Sequence, residues 1–264
     1  MANANQTLRL FSETLPLTVS DQGSGRSFLI LHGGAGPGSV SGLADAISRN
    51  GRAIVPTYPG FSGQARPEWF RRIDDLVLAY LALLERVDAK DVVLVGNSIG
   101  GWIAAEMALR NSPRITALIL LNATGIDTGS LDRPIVDPTK LSPPERTALA
   151  FHNPNKFAVM PTTPEALAMM ASNQKALLIY AGEHFTHDPT LRARLAQIAI
   201  PSMVIWGKSD RIVDVEYGRR YAESISGARF EPIVEAGHFP QIEKLDEVLS
   251  LINDFLVAKK STRQ

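Results

Sequence analysis

The pentapeptide Gly96-Asn97-Ser98-Ile99-Gly100 constrains this chain more than any other stretch, because of what flanks it. Before it, Asp91-Val92-Val93-Leu94-Val95 is an apolar run of strand length with three valines; after it, Gly101 to Arg110 is rich in helix formers. A G-x-S-x-G between a strand and a helix is a nucleophile elbow. The glycines permit a turn so tight that Ser98 stands proud of the sheet edge, at a helix N-terminus where developing negative charge is favoured. A bare G-x-S-x-G carries little weight; its structural frame carries the signal.

A serine hydroxyl is a poor nucleophile unless a base takes its proton and a third group orients that base. An elbow serine of this kind is followed along the chain first by an acid and then by a histidine. Ile200 to Gly207 reads as a buried strand, with Asp210 in the loop beyond it. Arg229 to Glu235 reads as another strand, followed by Ala236-Gly237-His238. Both candidates lie where open α/β sheets place their sites, just after a strand. Asp214 competes with Asp210 from four residues further on, and Asp127 is a distant third. Of the five histidines, His32 precedes Ser98 and so falls on the wrong side for this order. His152, His184 and His187 have no strand ahead of them, and Asp188-Pro189 interrupts the His184/His187 pair without a third ligand, so no metal site is expected.

An oxyanion hole belongs in an earlier strand-to-helix loop. Phe28-Leu29-Ile30-Leu31 runs into His32-Gly33-Gly34-Ala35-Gly36-Pro37-Gly38, whose glycines allow close backbone approach and N–H groups aimed at a substrate. The N–H groups of Gly34 and Ile99 are the expected donors, each worth roughly 2.7–4 kcal/mol of barrier.

Together, His32-Gly33-Gly34, Tyr58-Pro59-Gly60-Phe61-Ser62-Gly63, the elbow with Gly101, Trp206-Gly207-Lys208-Ser209-Asp210 and Ala236-Gly237-His238 make the chain similar to α/β-hydrolase-fold serine hydrolases of the esterase and carbon–carbon-bond hydrolase branch. The resemblance covers nearly the whole chain. It implies Ser98 as nucleophile, His238 as general base and then acid, Asp210 as the orienting carboxylate, and no cofactor.

The fold expected is therefore α/β: a mostly parallel sheet of about eight strands flanked by helices, with a helical cap inserted after the sixth strand. Short strands at Leu8–Phe11 and Leu15–Val19, a helix over Val40–Arg49, a strand at Ala53–Thr57 and an amphipathic helix from Ile73 to Val87 lead into the elbow. Strand and helix alternate as far as Asn122, the pattern of a parallel sheet. From Ile126 the alternation stops and seven prolines appear, with helical pieces at Pro144–Phe151 and Pro164–Ala181. It resumes with a helix over Pro189–Gln197. Residues 1–125 and 187–264 are thus the expected core domain and 126–186 the cap, whose apolar side chains call for burial rather than a disordered linker.

Lys+Arg and Asp+Glu both number 27, which leaves no electrostatic footprint for nucleic acid or an anionic membrane. Cysteine is absent, excluding disulfides and thiolate chemistry. The N-terminus has no basic region followed by an apolar run, and no stretch reaches membrane-span length, so a cytoplasmic location without membrane insertion is expected. The expected partner is a small-molecule substrate, with a homodimer left open.

An apolar cap implies a mainly apolar pocket, with Gly33, Met160, Met169, Met170 and Phe239 as substrate contacts. The leading reading of the chemistry is hydrolysis of a small carboxylic ester or lactone through an acyl-enzyme. The rival uses the same machinery on a carbon–carbon bond of dienone acids from aromatic-ring cleavage. Asn97 and the Gly33–Gly38 loop resemble that group, whereas Phe239 stands where it usually carries tryptophan. The group also uses a cap arginine, for which Arg133 and Arg146 are candidates. Proline iminopeptidases share His32-Gly33-Gly34-Ala35-Gly36-Pro37 but not Asn97 and Ile99 around the serine. A capped ligand-sensing protein with slow turnover is the alternative from another class.

Overall fold

The structure, a computed structural model, describes residues 5–129 and 134–261, with side chains through residue 258. Eight strands form one sheet: β1 (Asn5–Leu10), β2 (Leu15–Gly23), β3 (Ser27–Leu31), β4 (Arg52–Pro56), β5 (Val92–Asn97), β6 (Ile115–Leu121), β7 (Ser202–Gly207) and β8 (Arg229–Ile233). Their order across the sheet is β1-β2-β4-β3-β5-β6-β7-β8. β2 is antiparallel to both its neighbours, and all other pairs are parallel. The helices are α1 (Ser41–Ile47), α2 (Ile73–Arg86), α3 (Ile99–Leu109), α4 (Pro143–Ala150), α5 (Pro154–Phe157), α6 (Pro164–Ala181), α7 (Leu191–Arg194), α8 (Val215–Glu223), α9 (Pro240–Glu243) and α10 (Leu245–Ser261). Among the described residues no helix is long and apolar enough to cross a membrane.

The central strands are continuous apolar runs because both sheet faces are covered. Every residue of β3, β5 and β7 is buried. Side chains alternate between two cores, as a period of two requires. Leu29, Leu94, Leu118, Leu120, Val204 and Trp206 pack with α2, α3 and α8 on one face. Phe28, Val93, Ile119, Met203 and Ile205 pack with α1 and α10 on the other.

This topology makes the site. β3 lies between β4 and β5, and the helix after β3 (α1) covers one face while the helix after β5 (α3) covers the other. Loops that leave adjacent strands toward opposite faces open a crevice at the strands' C-terminal ends. The register pairs Leu31 with Gly96, so the loop from His32 runs beside Asn97 and Ser98.

Several boundaries differ from the sequence expectation. β2 runs on to Gly23 instead of ending at Val19, because Asp21, Gln22 and Gly23 pair with Ile54, Ala53 and Arg52, and the Arg52 guanidinium grips Asp21 at 2.7 and 2.9 Å. The helix expected over 40–49 is α1, entered through a tight turn at Pro37–Val40. The helix expected over 189–197 is only α7 and a tighter turn at Leu195–Gln197. There Arg194 leaves the local pattern to bond Glu106 of α3 through two nitrogens, and Asp188 at 2.7 Å.

Between β6 and β7 lie α4, α5, α6 and α7. Gly125 and His187 form an isolated parallel bridge, which sets the two ends of the stretch carrying α4 to α6 side by side. α6 is clamped onto the loops after β3 and β4. Asn173 donates to the Ala35 carbonyl at 3.0 Å and accepts the Ser62 N–H at 2.7 Å. Ser172 donates to the Gly60 carbonyl and Tyr180 to that of Pro59, at 2.9 and 2.8 Å.

Candidate active site

Ser98 sits at the N-cap of α3 with φ 55° and ψ −124°. That backbone is strained for a residue with a Cβ and persists only where its surroundings impose it. They do so at close range. A Cβ at Gly96 would stand 2.3 Å from the Gly100 oxygen, and one at Gly100 would stand 2.4 Å from the Leu31 oxygen. The Ser98 N–H is held by Leu121 O at 3.1 Å, and its carbonyl accepts the N–H groups of Gly101 at 2.8 Å and Thr124 at 3.1 Å.

Gly33 lies alongside: a Cβ there would be 3.0 Å from the Ser98 Cβ. Its carbonyl accepts Nδ1–H of His32 at 2.8 Å and the Gly36 N–H at 3.1 Å. In a trans peptide the C=O and N–H point opposite ways, so these two bonds turn the Gly34 N–H away from its own loop. His32 is fully buried, stacked on Tyr58 at 3.7 Å, and its Nε2 accepts the Tyr58 N–H at 3.3 Å. One neighbour can only accept and the other can only donate, which fixes the neutral Nδ1–H tautomer. Burial pushes the His32 pKa down to about 3, against the Gly33 hydrogen bond, which acts the other way. His32 is thus a holder of the Gly33–Gly34 peptide. Ile99 opens α3, where an N–H has no acceptor within the helix. Leu177 of α6 closes over the loop, 2.7 Å from where a Gly34 Cβ would be.

His238 and Asp210 are both buried, and His238 Nδ1 bonds Asp210 Oδ2 at 2.7 Å. The Asp210 carboxylate is saturated: Oδ1 accepts the N–H groups of Ile212 at 2.8 Å and Val213 at 3.2 Å, and Oδ2 also accepts the Asn122 amide at 2.7 Å. Asp214 has another place. It caps α8, accepting the Tyr217 N–H at 2.8 Å. Asn97 ties the elbow to the histidine: its buried amide donates to the carbonyls of His238 and Leu121, both at 3.0 Å. The residue beside Ser98 is therefore bonded to the backbone of His238.

Asn97 and Asn122 were not singled out from sequence as structural partners of the acid and the histidine. Asn97 ends β5 and Asn122 directly follows β6, each after an apolar run and fully buried, and that combination is the signal that could have found them. Phe239 packs edge-on against His238 and beside Phe151, both at 5.2 Å between ring centres. Met170 takes the Arg146 guanidinium on its sulfur at 3.3 Å. Met160 and Met169 are half-exposed, at 42% and 49%. Arg133 lies outside the described residues. The His184 and His187 rings lie 5.4 Å apart and tilted at 36°, and among the described residues no group of three or more His, Asp or Glu is placed to hold a metal. A cavity of about 660 Å³ lies one turn along α3 from the serine, bordered by Trp102, Glu106 and Tyr180; Ser98, Asp210 and His238 do not line it.

A mostly parallel eight-stranded sheet with this strand order and a strained serine turn after β5 defines the α/β-hydrolase class of enzymes. Residues 28–251 match the model of the Alpha/beta hydrolase family, and the chain belongs to that family. It is 26% identical to a 2-hydroxy-6-oxo-2,4-heptadienoate hydrolase of Pseudomonas putida, over 98% of this chain and all of that protein. It superposes on a meta-cleavage product hydrolase of Pseudomonas fluorescens with a TM-score of 0.75 at 21% identity, covering 92% of this chain and 95% of the other. A putative lipase of Acinetobacter baumannii gives a TM-score of 0.78 at 21% identity, over 98% and 93%.

Proposed function

We propose that this enzyme cleaves the carbon–carbon bond of a small dienone acid of the kind made by meta-cleavage of an aromatic ring, with Ser98, His238 and Asp210 as its triad. Ser98 Oγ attacks the substrate carbonyl as His238 takes its proton through Nε2, and Asp210 stabilises the imidazolium from Nδ1. The N–H groups of Gly34 and Ile99 receive the oxyanion. Collapse of the oxyanion breaks the carbon–carbon bond of the substrate's keto tautomer, whose electron pair leaves as a conjugated dienolate. His238 returns the proton to that dienolate, and water hydrolyses the acyl-enzyme, restoring the Ser98 hydroxyl. The sequence placed an ester or lactone first. The curated relatives shift the weight, since matches over nine-tenths or more of this chain include hydrolases of 2-hydroxy-6-oxo-dienoates and of 2-hydroxymuconate semialdehyde.

The observation that carries this reading here is Arg146. It lies on α4, one turn before Ala150, whose carbonyl accepts the His238 N–H at 2.7 Å. Burial lowers its pKa, and among the described residues its guanidinium meets the Met170 sulfur and no carboxylate. A partly desolvated cation without a counter-ion is suited to a substrate carboxylate, which costs several kcal/mol to bury unpaired. The test is kcat/KM on one preparation for 2-hydroxy-6-oxohepta-2,4-dienoate and for p-nitrophenyl acetate. The dienoate should be preferred by about tenfold or more, and Arg146→Ala should erase the preference, a loss equivalent to about 1.4 kcal/mol or more.

A second reading, hydrolysis of a neutral ester, is favoured by Phe239 in the place of the tryptophan usual in the carbon–carbon group, and by the lipase-like neighbour. It predicts the reverse preference and no effect of Arg146→Ala. Turnover of both compounds far below the usual 1–10³ s⁻¹ would instead point to a ligand-sensing protein.

A further inference from the structure

A single buried carboxylate fastens the α4–α5 stretch to the loop that carries His238. Glu243 closes α9 and is 8% exposed. Its Oε2 accepts the N–H groups of Gly237 at 2.6 Å and His152 at 3.2 Å, and its Oε1 accepts that of Asn153 at 2.9 Å. Charge-assisted bonds of this kind are roughly twice as strong as neutral ones. The same two pieces meet again where His238 N–H donates to Ala150 O at 2.7 Å. A Cβ on Gly237 would lie 2.3 Å from that oxygen, so the contact has no room for a side chain. The loop of the acid joins in. Arg211 donates its N–H to Leu149 O at 3.1 Å and its guanidinium to Ala148 O. Residues 148–153 therefore touch both loops that bear the His238–Asp210 pair, and Glu243 is the buried charge at the junction.

A carboxylate that only stabilised its own turn would be satisfied locally. Glu243 instead accepts from the N–H of Gly237, the residue before His238, and from two successive N–H groups about ninety residues away in the chain. We propose that Glu243 is a positioning residue for His238. It locks the Gly237–His238 backbone against residues 150–153, so that the imidazole keeps the orientation its Asp210 bond requires. Seating of the α4–α5 stretch is thereby coupled to the reactivity of Ser98. This rests on the reading of Ser98 and His238 as nucleophile and base.

The test compares wild type, Glu243→Gln and Arg211→Ala in reaction with a fluorophosphonate probe. The reaction is resolved into a binding constant and a bond-forming rate constant, with the folded fraction measured by circular dichroism. Glu243→Gln should lower the bond-forming rate by roughly ten- to a hundredfold with little change in binding, and Arg211→Ala should lower it less. The downfield proton NMR signal of His238 Nδ1–H should broaden or shift in both. A folded Glu243→Gln protein with wild-type rate and signal, changed only in melting temperature, would overturn the proposal. If that variant does not fold, wild-type values in Arg211→Ala overturn it instead. A wild-type protein unlabelled at Ser98 would refute the triad reading, while the NMR signal still reports on the positioning.

Discussion

His32 makes acid stability a direct readout of how the loop after β3 is built. Its pKa falls from 6.5 to about 3 on folding, because full burial penalises the charged imidazolium by more than the hydrogen bond to Gly33 O offsets. The folded value lies below the unfolded one, so the unfolded chain takes up the proton first as pH falls through 6.5. Stability from this group is complete above that pH and is lost progressively down to about 3. Between pH 7.5 and 5.0 the linkage amounts to about 2 kcal/mol. The assay is equilibrium urea unfolding at the two pH values for wild type and His32→Asn. Asparagine keeps an N–H donor close to the Nδ1 position and does not titrate. Wild type should lose about 2 kcal/mol more than the variant over this interval. The subtraction removes every other titrating group. Equal losses in the two proteins would show that His32 is not held neutral by burial, and would refute the account of how the Gly33–Gly34 peptide is oriented.

Two further outcomes concern the chemistry. Ser98→Ala should lower kcat by roughly 10⁶ and abolish fluorophosphonate labelling, with a melting temperature near wild type, since only the hydroxyl is removed from a turn fixed by its glycines. Labelling that persists at another serine would refute the assignment. Asp210→Asn should lower kcat by roughly 10⁴ by favouring the wrong imidazole tautomer. Asp214→Ala should instead cost about 1 kcal/mol of stability in urea unfolding, as loss of an N-cap does, and leave kcat within about threefold.

The nucleophile turn was legible because its constraints are local. A valine-rich run, a glycine-framed serine and a helix-forming run need no long-range contact to define a strand, a tight turn and a helix. The buried strands were legible for a similar reason, since a sheet covered on both faces writes itself as unbroken apolar runs. Their ends were less so. Nothing local in Asp21-Gln22-Gly23 marks it as strand, and it is one because β4 lies across from it and Arg52 holds Asp21.

The site divides along the same line. By itself the sequence determined which residue types were on offer and in what order: a serine at an elbow, acids beyond the seventh strand, a histidine beyond the eighth. Spacing favours Asp210, which follows its strand by the shorter loop, but only the tertiary structure sets Asp210 against His238 and Asp214 at the N-cap of a helix. It alone revealed Asn97, Asn122 and Glu243 as holders of that pair, because their partners lie 141, 88 and up to 91 residues away. Backbone conformation and burial pattern are set largely by neighbours in the chain. Hydrogen bonds between strand-end loops exist only once β3, β5, β6, β7 and β8 have aligned their C-terminal ends along one edge of the sheet.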